Sequence, residues 1–129
     1  MPRILIVEDS PTMRTLLSSA LEELEGSVKI VEAESGFEAL RMLPRERWDL
    51  IVTDVNMPDI NGLELVSFAK GNTAYAHVPL IIVSTEGSER DREKGLELGA
   101  DAYLVKPFVP SELCEIASQL LARSRSRKD

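Results

Sequence analysis

The sequence predicts an α/β fold, a five-stranded parallel sheet with helices on both faces. Three observations carry that expectation. Five short apolar runs rich in Ile and Val recur along the chain, at residues 4–7, 28–31, 50–52, 80–83 and 103–105. Most are continuous rather than alternating, the pattern of strands covered on both sides. Helical patterns fill the intervals, and strand–helix alternation five times over builds a three-layer sandwich with right-handed crossovers.

Each helix has its own signature. Met13, Leu16, Leu17, Ala20, Leu21 and Leu24 recur at helical spacing and make one apolar stripe. Ser10 can cap that helix, and Pro11 at the first helical position lacks an N–H that would have no partner there. Ser35 is placed to cap a second helix carrying Phe37 and Leu40. A third helix is expected over about 62–70, and a last one carries Leu113, Ile116, Ala117, Leu120 and Leu121 on one face. The fourth, about 88–98, is different, because residues 89–94 are six charges in succession. Pairs three apart are opposite in sign and pairs four apart are alike, so the two effects offset. Little beyond Leu96 and Leu98 could anchor it, which makes it a candidate mobile element.

The chain has 129 residues, enough for one domain. The expected domain spans 1–121, followed by a polar, basic tail at 122–129 that should fray. Taken at face value the chain is a stand-alone domain; the tail could equally open a linker in a longer protein. A net charge of −7 argues against a nucleic-acid-binding body, since a phosphate backbone rewards clustered Lys and Arg. One cysteine, Cys114, allows no internal disulfide and suits a reducing compartment. No apolar run is long enough for a signal peptide or a membrane span, so a cytoplasmic location is expected. Trp48 is expected to cover the core before the third strand, and His77 to sit exposed in a loop.

Ligands of open parallel sheets bind beyond the carboxyl ends of the strands. Glu8 and Asp9 follow the first strand, Asp54 the third, Ser84 and Thr85 the fourth, and Lys106 the fifth. Three carboxylates at one edge repel one another unless a positive charge sits among them. Magnesium is the natural candidate, because it prefers oxygen ligands and commonly takes one or two carboxylates plus a phosphate. A carboxylate can also be a phosphoryl acceptor, with Lys106 and the Ser84 hydroxyl holding the other oxygens.

Glu8-Asp9, Asp54-Val55-Asn56-Met57-Pro58, Asn61-Gly62, Ser84-Thr85 and Tyr103 to Phe108 together resemble the receiver domain of bacterial two-component response regulators. The resemblance covers about residues 3–121. Asn56 and Glu86 are similar to their counterparts in CheY-like, chemotaxis-type members. The resemblance implies the strand order 2-1-3-4-5 of flavodoxin-like folds. It implies a histidine kinase as donor, Asp54 as acceptor, and Mg2+ held by Asp9, Asp54 and the Asn56 carbonyl, with Glu8 acting through water. Ser84 would close on the phosphoryl group, Tyr103 would move inward, and the Lys106–Pro107 bond would be cis. Thr85 and Glu86 would border access to the site. The output would be a changed surface on the fourth helix, fifth strand and fifth helix, read by a protein partner. A monomer or weak dimer is expected, with no nucleic acid or membrane, accepting phosphate without being a turnover enzyme. Thr85 departs from the family, where Ala or Gly is frequent, and its branched side chain could narrow access to Asp54.

Three other readings fit parts of the pattern. Ser10, Thr12 and Thr15 faintly resemble an FMN phosphate loop, although Pro11 removes a needed N–H and Glu8 and Asp9 would repel the phosphate. A magnesium phosphatase with an aspartyl nucleophile commonly needs a second carboxylate where Asn56 stands. A receiver-shaped module that works unphosphorylated is the third.

Overall fold

A computed structural model describes residues 1–24, 26–85 and 87–128, with side chains described as far as residue 123. Glu86 lies outside the described residues. The elements in chain order are β1 (Arg3–Val7), α1 (Pro11–Glu22), β2 (Lys29–Ala33), α2 (Gly36–Met42), a 3-10 turn (Leu43–Arg45), β3 (Leu50–Asp54), α3 (Gly62–Gly71), β4 (Leu80–Ser84), α4 (Glu89–Glu97), β5 (Ala102–Val105) and α5 (Pro110–Lys128). All strand pairs are parallel, in the order β2-β1-β3-β4-β5. The order reverses at β1, so β1 and β3 lie side by side and their ends bound a crevice.

Successive residues of a strand face opposite sides of the sheet, and this sheet has a core on each side. Ile4, Ile6, Val52, Ile81, Val83 and Leu104 pack against Leu17 and Leu21 of α1 and Leu113 and Ala117 of α5. Leu5, Val7, Ile51 and Ile82 pack on the other side against Ala39 of α2 and Leu65, Val66 and Ala69 of α3. β1, β3 and β4 are buried almost throughout, which is why their sequences run apolar without alternation. Full burial of each such Leu or Ile stabilises by about 1.5–3 kcal/mol.

The caps expected at Ser10 and Ser35 form, and the structure adds a third at Ser88. The Ser10 hydroxyl accepts from the Met13 N–H, the Ser35 hydroxyl from Glu38, and the Ser88 hydroxyl from Asp91. The Trp48 indole is buried and donates to the Leu43 carbonyl at 3.2 Å. His77 is exposed. Phe37 and Leu16 do not bury as their spacing suggests, and Leu96 of α4 and Val105 at the end of β5 are exposed as well. Phe37 is 56% exposed because α2 turns Gly36, Ala39 and Leu40 inward, and Leu16 lies on the outer edge of the α1 stripe. From residue 122, where a fraying tail is expected, the backbone continues helix α5 as far as Lys128.

α4 has one buried residue, Gly95. A Cβ there would lie 2.8 Å from Ile82 Cδ1 and 3.1 Å from Tyr103 Cδ2. The helix therefore approaches the sheet through its own backbone, with charged side chains pointing outward. This is the thin anchorage that the run of charges at 89–94 predicts.

Candidate functional site

The parallel register decides which strand ends meet. Val7 lies beside Thr53, Asp54 beside Val83, and Ser84 beside Val105. Glu8, Asp54, Ser84 and Lys106 thus leave adjacent strands at one edge. Carboxylate oxygens of Glu8, Asp9 and Asp54 lie within 4.8 Å of one another. Lys106 closes the group: its Nζ is 2.9 Å from Glu8 Oε1 and 3.3 Å from Asp54 Oδ1.

Burial sorts these carboxylates. Glu8 is 1% exposed and Asp54 4%, whereas Asp9 is open to solvent. Glu8 is not a free ligand: one carboxylate oxygen takes Lys106 and the other takes the Ser10 N–H at 3.1 Å. Burial pushes its pKa above the ordinary carboxylate value, against the hydrogen bonds from Lys106 and Ser10 that pull it down. Burial alone would lower the pKa of Lys106. Its contacts with Glu8 and Asp54 outweigh that and hold the ammonium above its ordinary value.

The loops complete the rim. The Gly62 N–H donates to the Val55 carbonyl at 2.8 Å, which docks the start of α3 onto the chain just after Asp54. Asp59 reaches across to α2, accepting from the Gly36 N–H at 3.2 Å and the Phe37 N–H at 2.9 Å. Those backbone bonds, with Phe37 foremost, hold its carboxyl below the ordinary range. Asn56 is exposed in the same loop, two residues past Asp54.

Ser84 is fully buried at the end of β4, and Thr85 beside it is exposed. The Lys106 N–H donates to the Ser84 carbonyl at 2.7 Å, tying the two strand ends together. Tyr103 lies inward, 7% exposed, over Gly95. The Lys106–Pro107 peptide is cis.

The donor set suits a hard cation. With three carboxylates against one ammonium, the cluster keeps an excess of negative charge, and all the donors are oxygens. Open access at Asp9 leaves a way in for an ion that retains several waters.

Two features had no advance signal in the motifs. Arg14 donates to the Glu8 carbonyl at 2.9 Å and the Asp9 carbonyl at 3.3 Å. Its sequence trace is a single charge beside the apolar stripe of α1. The Asp59 bridge to α2 spans loops that nothing in their spacing connects.

Comparison with known proteins agrees with this geometry. Residues 4–118 match the response regulator receiver domain. A CheY homolog of Campylobacter jejuni is 39% identical over 120 residues, covering 92% of each chain. CheY1 of Helicobacter pylori is 37% identical over 114 residues, covering 88% of this chain and 91% of that one. The chemotaxis response regulator CheY4 of Vibrio cholerae superposes with a TM-score of 0.84 at 32% identity, covering 93% of this chain and 98% of that one. The chain belongs to the response regulator receiver domain family and is homologous to the CheY chemotaxis regulators.

Proposed function

We propose that this receiver domain is a phosphorylation switch with Asp54 as the acceptor and a histidine kinase as the donor. The carrying observation is Lys106, an ammonium shared between buried Glu8 and Asp54 at 2.9 and 3.3 Å. It orients the Asp54 carboxylate and supplies positive charge where phosphoryl oxygens would arrive.

Asp54 attacks the phosphorus through a carboxylate oxygen. The bond from phosphorus to the donor nitrogen breaks, and its electron pair stays on the donor imidazole. Asp9, Asp54 and the Asn56 backbone carbonyl would hold Mg2+, with Glu8 helping through water. The ion would neutralise charge on the transferring group. Lys106 then shares its N–H donors with the phosphoryl oxygens, and the Ser84 hydroxyl supplies another donor. Thr85, exposed beside Ser84, borders the approach. Water later attacks the phosphorus and breaks its bond to the Asp54 oxygen, releasing inorganic phosphate and the free carboxylate, so the chain cycles between two states and turns over no substrate of its own.

The added group carries about 1.5–2 negative charges. New bonds to Ser84 draw on the end of β4, next to thinly anchored α4 and the inward Tyr103. The α4–β5–α5 surface changes, and a downstream protein reads it. CheY relatives favour a chemotaxis or motility pathway in the cytoplasm, with the domain acting as a monomer or weak dimer.

The test is Asp54→Asn. Wild type should take up one phosphoryl group from acetyl phosphate with Mg2+, and Asp54→Asn should take up none. Stoichiometric labelling of the mutant would end the assignment.

A further inference from the structure

Arg14 lies in the first turn of α1, five residues after Asp9, and its side chain is only 12% exposed. Its guanidinium is engaged on both sides. Nη1 donates to the carbonyls of Glu8 and Asp9. On the other side Nε is 3.6 Å from Glu32 and Nη2 is 3.7 Å from Glu34. Glu32 is itself an acceptor for the Ser18 hydroxyl.

The segment it grips carries two of the three clustered carboxylates. The Glu8 N–H is already spent on the Ala33 carbonyl at 3.1 Å. With Arg14 on the Glu8 carbonyl, both backbone polar groups of Glu8 are tied down. The Ser10 N–H is held by the Glu8 carboxylate. The turn from β1 into α1 therefore has little rotational freedom left, and the direction of the exposed Asp9 side chain depends on it.

We infer that Arg14 is a positioning residue for divalent-cation binding, a charge-compensated clamp that sets Glu8 and Asp9 for the ion without touching it. The inference rests on the reading of Glu8, Asp9 and Asp54 as the cation site. Arg14 itself carries a positive charge close to that site, which taken alone repels a cation. Glu32 and Glu34 offset the charge, so the clamp can stand near the site at little electrostatic cost. Groups that orient a ligand from behind commonly matter about 10–100-fold in metal affinity.

The two possible effects of removing Arg14 have opposite signs, which makes the test sharp. Coulomb's law alone predicts tighter cation binding when the positive charge is deleted. Loss of positioning predicts weaker binding. Mg2+ binding to the full chain is measured by calorimetry without a phosphodonor, on samples whose folding is verified by far-UV circular dichroism. Arg14→Met should bind Mg2+ about 10-fold or more weakly. Arg14→Lys, which keeps the charge but loses the planar fork, should show a smaller loss in the same direction. It carries the test alone if Arg14→Met does not fold.

A second readout is the Mg2+ dependence of labelling by acetyl phosphate. Half-saturation should move to higher Mg2+ while the plateau rate is retained. Unchanged or tighter Mg2+ binding in the folded variants overturns the inference. So does a lowered plateau with unchanged half-saturation. Wild type that binds no Mg2+, or that binds it equally well after Asp9→Asn and Asp54→Asn, would instead fail the site reading beneath it.

Discussion

Gly62→Ala should displace Asp54, the proposed acceptor, from a position outside the chemistry. Gly62 is the first residue of α3, and the helix seats itself on the backbone of Asp54 and Val55. A Cβ at residue 62 would overlap the Asp54 carbonyl oxygen. It would also lie 2.7 Å from Val55 Cα and 2.9 Å from the Asp54 carbonyl carbon, where 3.4 Å is an ordinary contact. Every obstacle is main chain, so no side-chain rotation relieves it. The Gly62 backbone does not have a positive φ, so alanine itself is comfortable there. Two terms compete. Alanine in a helix gains up to about 1 kcal/mol over glycine. Overpacking a tight site costs about 1–3 kcal/mol. The overlap with backbone puts this case at the upper end, and a net loss of about 1–2 kcal/mol lowers the melting temperature by roughly 3–10 °C. The larger effect is on the site. A misplacement near 1 Å can cost about 10²-fold in rate. Phosphorylation by acetyl phosphate at saturating Mg2+, followed by phosphoprotein electrophoresis, should slow by about 10–100-fold. Gly71→Ala is the control, since nothing lies within 4 Å of a Cβ at that end of the same helix. If Gly62→Ala melts with wild type and labels within about threefold of it, the steric reasoning is wrong.

Lys106→Met removes the cation shared by Glu8 and Asp54. The Glu8 pKa is raised in the folded state, so its contribution to stability is largest below the ordinary carboxylate pKa and declines as pH rises through the folded value. Without Lys106 that decline should extend to higher pH, by about 1.4 kcal/mol per further pH unit. Urea unfolding across pH 5–8 without divalent cations measures it, and parallel pH profiles for mutant and wild type would refute it. Asp59→Asn weakens the bridge from the loop after β3 to α2. The folded Asp59 pKa is lowered, so its stabilisation is present above the unfolded value near 3.8 and is lost as pH falls through the folded one. The wild-type advantage in melting temperature should shrink as acid is added; a gap that persists unchanged would exclude the carboxylate bonds as its source. Thr85→Ala should speed labelling by acetyl phosphate or hydrolysis of the phosphoryl group, because a branched side chain leaves the rim. Equal rates in both proteins would remove Thr85 as a gate.

Much of this was written locally. Continuous Ile and Val runs named the strands, because a doubly covered parallel strand has no wet face. Ser10-Pro11 and Ser35 announced helix starts, because the capping bond is made within three residues. The charged string at 89–94 foretold a helix with little hold on the sheet. The chemistry of the strand ends identified the acidic edge as a candidate cation site. Side-chain burial was less legible: Phe37 has helical context and apolar character, yet the angle of α2 leaves it in solvent.

What the sequence determined by itself was the set of elements and the reactive groups at their ends, since both depend on neighbours within a turn or a strand. Only the tertiary structure decided the partnerships. Lys106 meets Glu8 across 98 residues because the parallel register brings β1, β3 and β5 ends to one edge. Arg14 grips the Glu8–Asp9 carbonyls, Asp59 caps a helix 22 residues away, and Gly62 lies on the Asp54 backbone. Such contacts depend on how layers pack and loops converge, and no local pattern encodes the distance between two elements that meet only when the chain is folded.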